Sequence, residues 1–439
     1  MTPSRGLEVA AEYIASEFRR IGLEPAGDDG YFQTAAMQMI EEDFTGFELT
    51  VSAGDRRISV GKEDVGLQLA ELKGLELQDI PLVKLDGSDP SSMRPEDIQG
   101  KALLVERRGR RRTAAALRDL KPALIVFDVT DAAEMERLRG PQLADASAPP
   151  SNRPPRLFVR NADFRDLAER IKPGSGDGRI SVHLAPPRAK PLRLRNVAGL
   201  LRGSDPVLRD SYVLVTAHYD HIGVKASGEG DRIYNGANDD GSGTVSVIEI
   251  AAALAGMRPA PRRSILFLTF FGEEIGGLGA RYYTRHPLEP LAKTIADVNL
   301  EQLGRTDATD GTEVGTASFT GFDYSGLPAI FQAAGELTGV KVYKDSGASD
   351  AYFSRSDNQE LADAGIPAHT LCVAFDFPDY HGVGDHWDKI DYANMAKIDR
   401  MVGAGLLMLA GDAPPPQWNQ DNPRASRYLE AWKKLHANP

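Results

Sequence analysis

Residues 212–221 read YVLVTAHYDH, an apolar run from Tyr212 to Ala217 that breaks directly into His218, Tyr219, Asp220 and His221. A run without polar alternation suits a strand covered on both faces. The same pattern returns at 264–274, SILFLTFFGEE, where the run ends in Gly272, Glu273 and Glu274. A shorter strand is expected over 294–300 and delivers Glu301. Between the first two strands the spacing predicts a helix over 244–257, packing through Val245, Ile248, Ala252 and Leu254. Strands alternating with helices imply an α/β fold, a mostly parallel twisted sheet with helices on both faces.

Outward from this half, Ala10, Ile14, Phe18 and Ile21 recur at helical spacing and Gly22 supplies a stop. From about Asp43 the character changes: short β-like runs, KALLVE from Lys101 and ALIVFD from Ala123, alternate with turn-rich stretches. A Pro-rich segment around Pro186 and Pro187 reads as a linker closing this insertion. The expected organisation is therefore 1–42 and 191–412 as one domain, 43–190 as a smaller inserted domain of mixed α and β structure, and 413–439 as a tail with a short amphipathic helix docked on the surface. The basic run 107–112, RRGRRR, reads as a solvated turn.

A chain of 439 residues exceeds the size of most single cores, in keeping with two domains. A net charge of -12 argues against a nucleic-acid binder, and no apolar run reaches the roughly 20 residues that span a bilayer. The one cysteine, Cys372, excludes an intramolecular disulfide and lies in an apolar run, HTLCVAF, that reads as core.

The chemistry sits where the strands end, the place at which open α/β sheets bind ligands. There Asp220, Asp239, Asp240, Glu273, Glu274 and Glu301 would crowd one crevice, with Asp239 and Asp240 brought in by the Gly-rich NGANDDGSGT. Neighbouring carboxylates do not all ionise cheaply without counter-charge. Two divalent cations would balance Asp239, Glu274 and Glu301, and a mixture of imidazoles and carboxylates suits zinc. Glu273 and Glu274 reach one site only if the strand dissolves into a loop, which Gly272, Gly276 and Gly277 permit. One can then bind metal while the other handles protons. In DYHGVGDHWDKID, His381 is a further candidate ligand and Asp385 a candidate to buttress it.

AHYDHIG, NGANDDGSGT, FLTFFGEEIGGLGA, VNLEQLGR, RSDNQELADAGIPA and DYHGVGDHWDKID, in that order, resemble the two-zinc exopeptidases of the bacterial leucyl aminopeptidase and glutamate carboxypeptidase II family. The resemblance covers most of the half from Arg195 onward and implies a phosphorylase/hydrolase-like fold. It implies two zinc ions held by His218, Asp239, Glu274, Glu301 and His381, with Asp239 bridging. It implies that Asp220 orients His218, that Glu273 is the general base acting on a metal-bridging water, and that Tyr380 helps stabilise the oxyanion. The insertion resembles a protease-associated domain. Position 301 is Glu where many aminopeptidase relatives carry Asp, and Asn358 stands where relatives frequently have His. Substrate preference is therefore not carried over.

An aminopeptidase acting on peptides is the leading expectation, ahead of a carboxypeptidase or dipeptidase on the same site. A glutaminyl cyclase-like acyltransferase and a catalytically inactive binding module are the alternatives from other classes. The insertion disfavours the first, and the complete set of ligands and base disfavours the second. Met1 opens no signal peptide and the first helix begins almost at once, as in a chain whose leader has been removed. With the resemblance, this gives a periplasmic or secreted protein as the expectation, the cytoplasm remaining the alternative.

Overall fold

Ser4 accepts a hydrogen bond from the Leu7 N–H and so caps the first helix, α1 (Arg5–Ile21), and Gly22 ends it in the left-handed region at φ 87°. Leu7, Ala11, Ile14, Ala15 and Phe18 form its buried stripe. The computed structural model describes residues 1–68, 73–85, 94–105, 121–140, 142–147, 154–174, 176–225, 228–309 and 311–437. The basic run 107–112 lies outside them. The backbone divides into two compact units: Met1–Ala35 with Arg193–Pro439, and Ala36–Leu192.

Both junctions fall inside long strands, β1 (Phe32–Ala53) and β2 (Gly178–Leu201). The Pro-rich stretch expected to be a linker is thus extended sheet: proline's fixed φ fits extended backbone, and what it lacks is only a ladder donor. The unit boundaries lie at 35/36 and 192/193, where the sequence suggested 42/43 and 190/191.

The larger unit is built on β3 (Tyr212–His218), β4 (Ser264–Phe270), β5 (Thr294–Leu300), β6 (Thr316–Phe319), β7 (Lys341–Tyr343) and β8 (Ala368–Cys372). Together with the end of β2 they stand in the order β7-β6-β8-β5-β3-β4-β2. The pairs β3–β4, β3–β5, β5–β8 and β6–β7 are parallel, while β6–β8 and β2–β4 are antiparallel.

Every residue of β3 and β4 is buried. Alternate side chains feed two cores, which is what a strand covered on both faces requires. Val213, Val215, Ile265 and Phe267 join one core with α1 and two helices, α2 (Gly243–Ala255) and α6 (Tyr392–Leu409, numbered after the helices below). Leu214, Leu266, Leu268 and Phe270 join the other with α3 (Leu278–Arg285), α5 (Asn358–Asp363) and α7 (Ser426–Ala437). A further helix, α4 (Leu327–Thr338), packs on α6.

Two details depart from expectation. In α2, Val245 is 44% exposed and the helix packs instead through Val247, Ile248, Ile250, Ala251 and Leu254. The C-terminal tail is more than a surface helix: Trp418 and Tyr428 are buried in the second core, and the Trp418 indole donates to the Gly365 carbonyl at 2.9 Å. Cys372 is buried, as its apolar run suggested.

In the smaller unit Leu75–Lys84, Ala102–Val105, Leu124–Asp128 and Arg156–Val159 are parallel neighbours in that order. Val65–Gln68 adds to the last of them antiparallel, and helices Ala132–Leu138 and Ala162–Arg170 accompany the sheet. It has its own cores, one around Leu104, Val126 and Phe164 and another around Leu103, Ile125 and Phe127.

Asp297, in the middle of β5, is wholly buried and accepts the Thr216 hydroxyl at 3.0 Å, while its other oxygen has no partner. Burial pushes its pKa up to about 8. The folded chain therefore keeps a proton that the unfolded chain releases near pH 4. This contribution to stability is fully present below that pH and is lost as pH rises through about 8. Asp297→Asn is expected to gain roughly 3–5 kcal/mol on the wild type between about pH 5 and pH 8. Urea denaturation at both pH values checks this; a constant difference would contradict it.

Candidate metal centre

The chain leaves β3 through α2 to reach β4 on one side, then returns to β5 on the other side of β3. β3 is therefore the topological switch point, where strand ends splay and a crevice opens. His218 is the last residue of β3, Glu273 and Glu274 follow β4, and Glu301 follows β5. Gly272, at φ 70°, turns the chain out of β4. Asp239 and Asp240 arrive on a turn of π type, Ala237–Ser242, that runs into α2, and the peptide bond between them is cis.

Asp239 is the hub. One carboxylate oxygen lies 3.3 Å from His218 Nε2, and the other lies 3.1 Å from His381 Nε2. His381 Nε2 is also 3.2 Å from Glu274 Oε2. His218, Asp239 and Glu301 can each aim one donor atom at a common point, all within 4.8 Å of one another, and so can His221, Asp239 and Glu274. The structure thus brings together all the ligand candidates, His218, Asp239, Glu274, Glu301 and His381, around one carboxylate.

The electrostatics show what this arrangement lacks. Against the cost of burial, His218 and His381 hold Asp239 well below the usual carboxylate range, and His221 and His381 hold Glu274 down. Burial pushes Glu301 up to about 7, Asp239 and Glu274 adding to the rise and His218 opposing it. Burial likewise raises Glu273 well above its ordinary value, with His218 opposing and the charges of Glu301, Asp357 and Glu274 adding. His381, despite partial burial, is held up at about 10 by Asp239 and Glu274. Protons stand where cations would suffice. His218 Nε2, both nitrogens of His221 and Glu274 Oε1 are buried without hydrogen bonds, which fits donor atoms converging on metal ions.

The supporting contacts differ in part from those expected. His218 Nδ1 lies 3.1 Å from the Asp220 main-chain carbonyl and 3.7 Å from its carboxylate. That carboxylate instead accepts the Glu273 N–H at 3.0 Å and the Thr2 hydroxyl at 3.0 Å, so Asp220 fixes the Glu273 backbone. Asp385 does not buttress His381: its two oxygens accept the N–H groups of Asn238 and Asp239 at 3.0 and 3.1 Å. Asp240 does the same for His218, Gly243 and Gln302. Carboxylates are the acceptors best suited to several amide donors at once.

Tyr380 stacks on His381, centroids 4.1 Å apart, and lines a pocket with Glu301, Arg355, Ser356 and Phe375. Burial, with Asp239 and Glu301 adding, raises its pKa, so the phenol stays protonated. Asn358 does not face this pocket: it is buried, donating to the Phe353 carbonyl and accepting the Thr370 hydroxyl. Three residues to which the sequence assigned no role stand at the centre. His221 lay within the quoted motif; Asp357 is fully buried with neither oxygen partnered; Arg305, 4% exposed, donates to Asp379 just before Tyr380 at 2.9 Å. Its place as the last residue of VNLEQLGR was the one visible signal for Arg305.

Fold and site together define an α/β protein whose switch-point crevice is a carboxylate–imidazole metal centre. Residues 196–405 match the model of peptidase family M28. Among curated proteins, a probable zinc metalloprotease of Pyrenophora teres f. teres is 35% identical over 124 residues, 28% of this chain and 25% of its own length. A probable glutamate carboxypeptidase of Zea mays is 27% identical over 244 residues, 51% of this chain and 32% of its own length. The chain thus spans at most about a third of these relatives. Among solved structures, an aminopeptidase from Aneurinibacillus sp. strain AM-1 superposes with a TM-score of 0.56 at 19% identity, covering 95% of this chain and 90% of its own. A zinc aminopeptidase from Bacillus subtilis gives 0.52 at 19% identity, over 98% and 93%. These likenesses extend the shared fold across nearly the whole chain. Among the described residues no helix is long and apolar enough to cross a membrane.

Asp385→Ala leaves the Asn238 and Asp239 N–H groups without their acceptor and loosens the hub carboxylate. It is expected to weaken zinc binding about 10–100-fold, the usual cost of losing a residue that braces a ligand. Competition with a chromogenic chelator measures this; unchanged affinity would contradict it.

Proposed function

We propose that the chain is a two-zinc exopeptidase, with aminopeptidase as its principal activity on peptides. One observation carries the reading: the two oxygens of Asp239 face separate imidazoles, His218 at 3.3 Å and His381 at 3.1 Å, as a carboxylate shared by two ions must. His218 and Glu301 would hold one ion, Glu274 and His381 the other, with Asp239 common to both. Zinc there supplies Lewis-acid polarisation of the scissile carbonyl and lowers the pKa of water toward about 7.

The chain's own residues do the rest. Glu273 is pinned through its N–H by Asp220, and burial raises its proton affinity. It is thereby suited to take a proton on its carboxylate and return it to the leaving amine. The Tyr380 hydroxyl, kept protonated, donates to the oxyanion that forms on the substrate carbonyl. The pocket that Tyr380 shares with Arg355 and Phe375 receives the substrate side chain or the residue beyond. Arg355 there also favours a second reading, in which a guanidinium takes a substrate carboxylate and the enzyme is a carboxypeptidase or dipeptidase. The name of the maize relative agrees with that reading. The smaller unit is read as a protease-associated domain and the location as periplasmic or secreted, both on the family resemblance.

Hydrolysis of aminoacyl p-nitroanilides is expected to stop with chelator and return with zinc. Glu273→Gln is expected to lower kcat by about 10²–10⁴-fold while zinc content is kept. Hydrolysis that survives either treatment would overturn the mechanism, and release only from N-blocked dipeptides with a free C-terminal carboxylate would favour the second reading.

A further inference from the structure

Resting on that two-metal reading, we propose that His221 is a third imidazole ligand of this centre, joining Asp239, Glu274 and His381 on the Glu274 side. His221 stands three residues beyond His218 on the same strand-end loop, and its side chain is 6% exposed. Its Nδ1 lies 2.6 Å from Glu274 Oε1, yet neither atom makes a hydrogen bond of acceptable direction, and Nε2 has no partner either. A ring serving only to neutralise Glu274 would aim an N–H along that line. Two donor atoms side by side, neither aimed at the other, are instead placed to share an ion. His221, Asp239 and Glu274 meet the same distance limit as His218, Asp239 and Glu301.

The backbone holds the ring in this position. Gly236 sits at φ 64°, and a Cβ there would come within 2.5 Å of His221 Cγ, so the close approach of the turn to the imidazole requires glycine. On its other side the His221 ring meets the His381 ring edge-on, centroids 5.6 Å apart. His381 comes from a loop at φ 50° with 37% of its side chain exposed. His221 would therefore be the buried, preset imidazole of this ion and His381 the exposed one. The Glu274 side would then have four protein ligands and the Glu301 side three. Zinc sites closed by four ligands are typically structural, whereas those with three keep a position open for reaction.

Zinc K-edge absorption on the wild-type chain carrying two equivalents of zinc tests this without any variant. Three imidazoles shared between the two ions are expected. Two imidazoles would overturn the assignment of His221 and leave the two-metal reading standing, whereas failure to take up zinc would overturn both. On titration against a chromogenic chelator, His221→Ala is expected to weaken one zinc by more than about 100-fold and leave the other near its wild-type affinity, a loss larger than bracing residues give. His221→Asn, which keeps a polar donor near the Nδ1 position, is expected to restore part of the loss. Retention of both ions at wild-type affinity in the alanine variant, with circular dichroism unchanged, would overturn the proposal.

Discussion

Burying Asp239, Asp240, Glu273, Glu274 and Glu301 at the ends of adjacent strands is the constraint on which this unit turns. Such charges are tolerable only if each finds amide donors, protons or cations. Three of these solutions are visible. Asp240 accepts three backbone N–H groups, Glu301 and Glu273 are driven toward protonation, and Asp239 and Glu274 are held ionised by imidazoles. Protons and imidazoles thus balance the ligand carboxylates where cations would serve, and Asp220, Asp240 and Asp385 keep the backbone that carries the centre in place.

That division explains which parts were legible in the sequence. His218, Glu274 and Glu301 could be placed because apolar runs fix where strands end, and in a parallel sheet those ends meet. Asp220 does meet His218, chiefly through its main-chain carbonyl, while its carboxylate also takes the Glu273 N–H, and Asp385 was given the wrong partner. Which donor a loop carboxylate accepts depends on tertiary approach, and Asp385 meets Asn238 from 147 positions away. His221 was read only as part of its motif, since spacing along a loop carries no direction. The turn of α2 that left Val245 exposed shows the same limit: an apolar helix buried widely has no single face to fix its phase.

Outside the centre, the misreadings concern proline and the tail. Pro186 and Pro187 mark a strand because extended backbone tolerates proline wherever its missing N–H is not needed. The tail was judged by the amphipathicity of its helix, whereas its anchor is Trp418 beneath Gly365, a glycine at φ 100° whose missing Cβ leaves room for the Trp432 backbone. Both contacts join residues far apart in the chain, beyond the reach of local pattern.

The separation of these parts has a consequence for how the molecule is made. His218 leads the set, but its companion His381 lies 163 residues later, and the second core closes only with Tyr428. Synthesis proceeds from the N-terminus at about 5–20 residues per second, so the first acids leave the ribosome well before their partners exist. A nascent chain at that stage offers scattered carboxylates with no defined geometry. The geometry that can discriminate between ions therefore exists only in the finished fold, once His381 has joined Asp239 and Glu274.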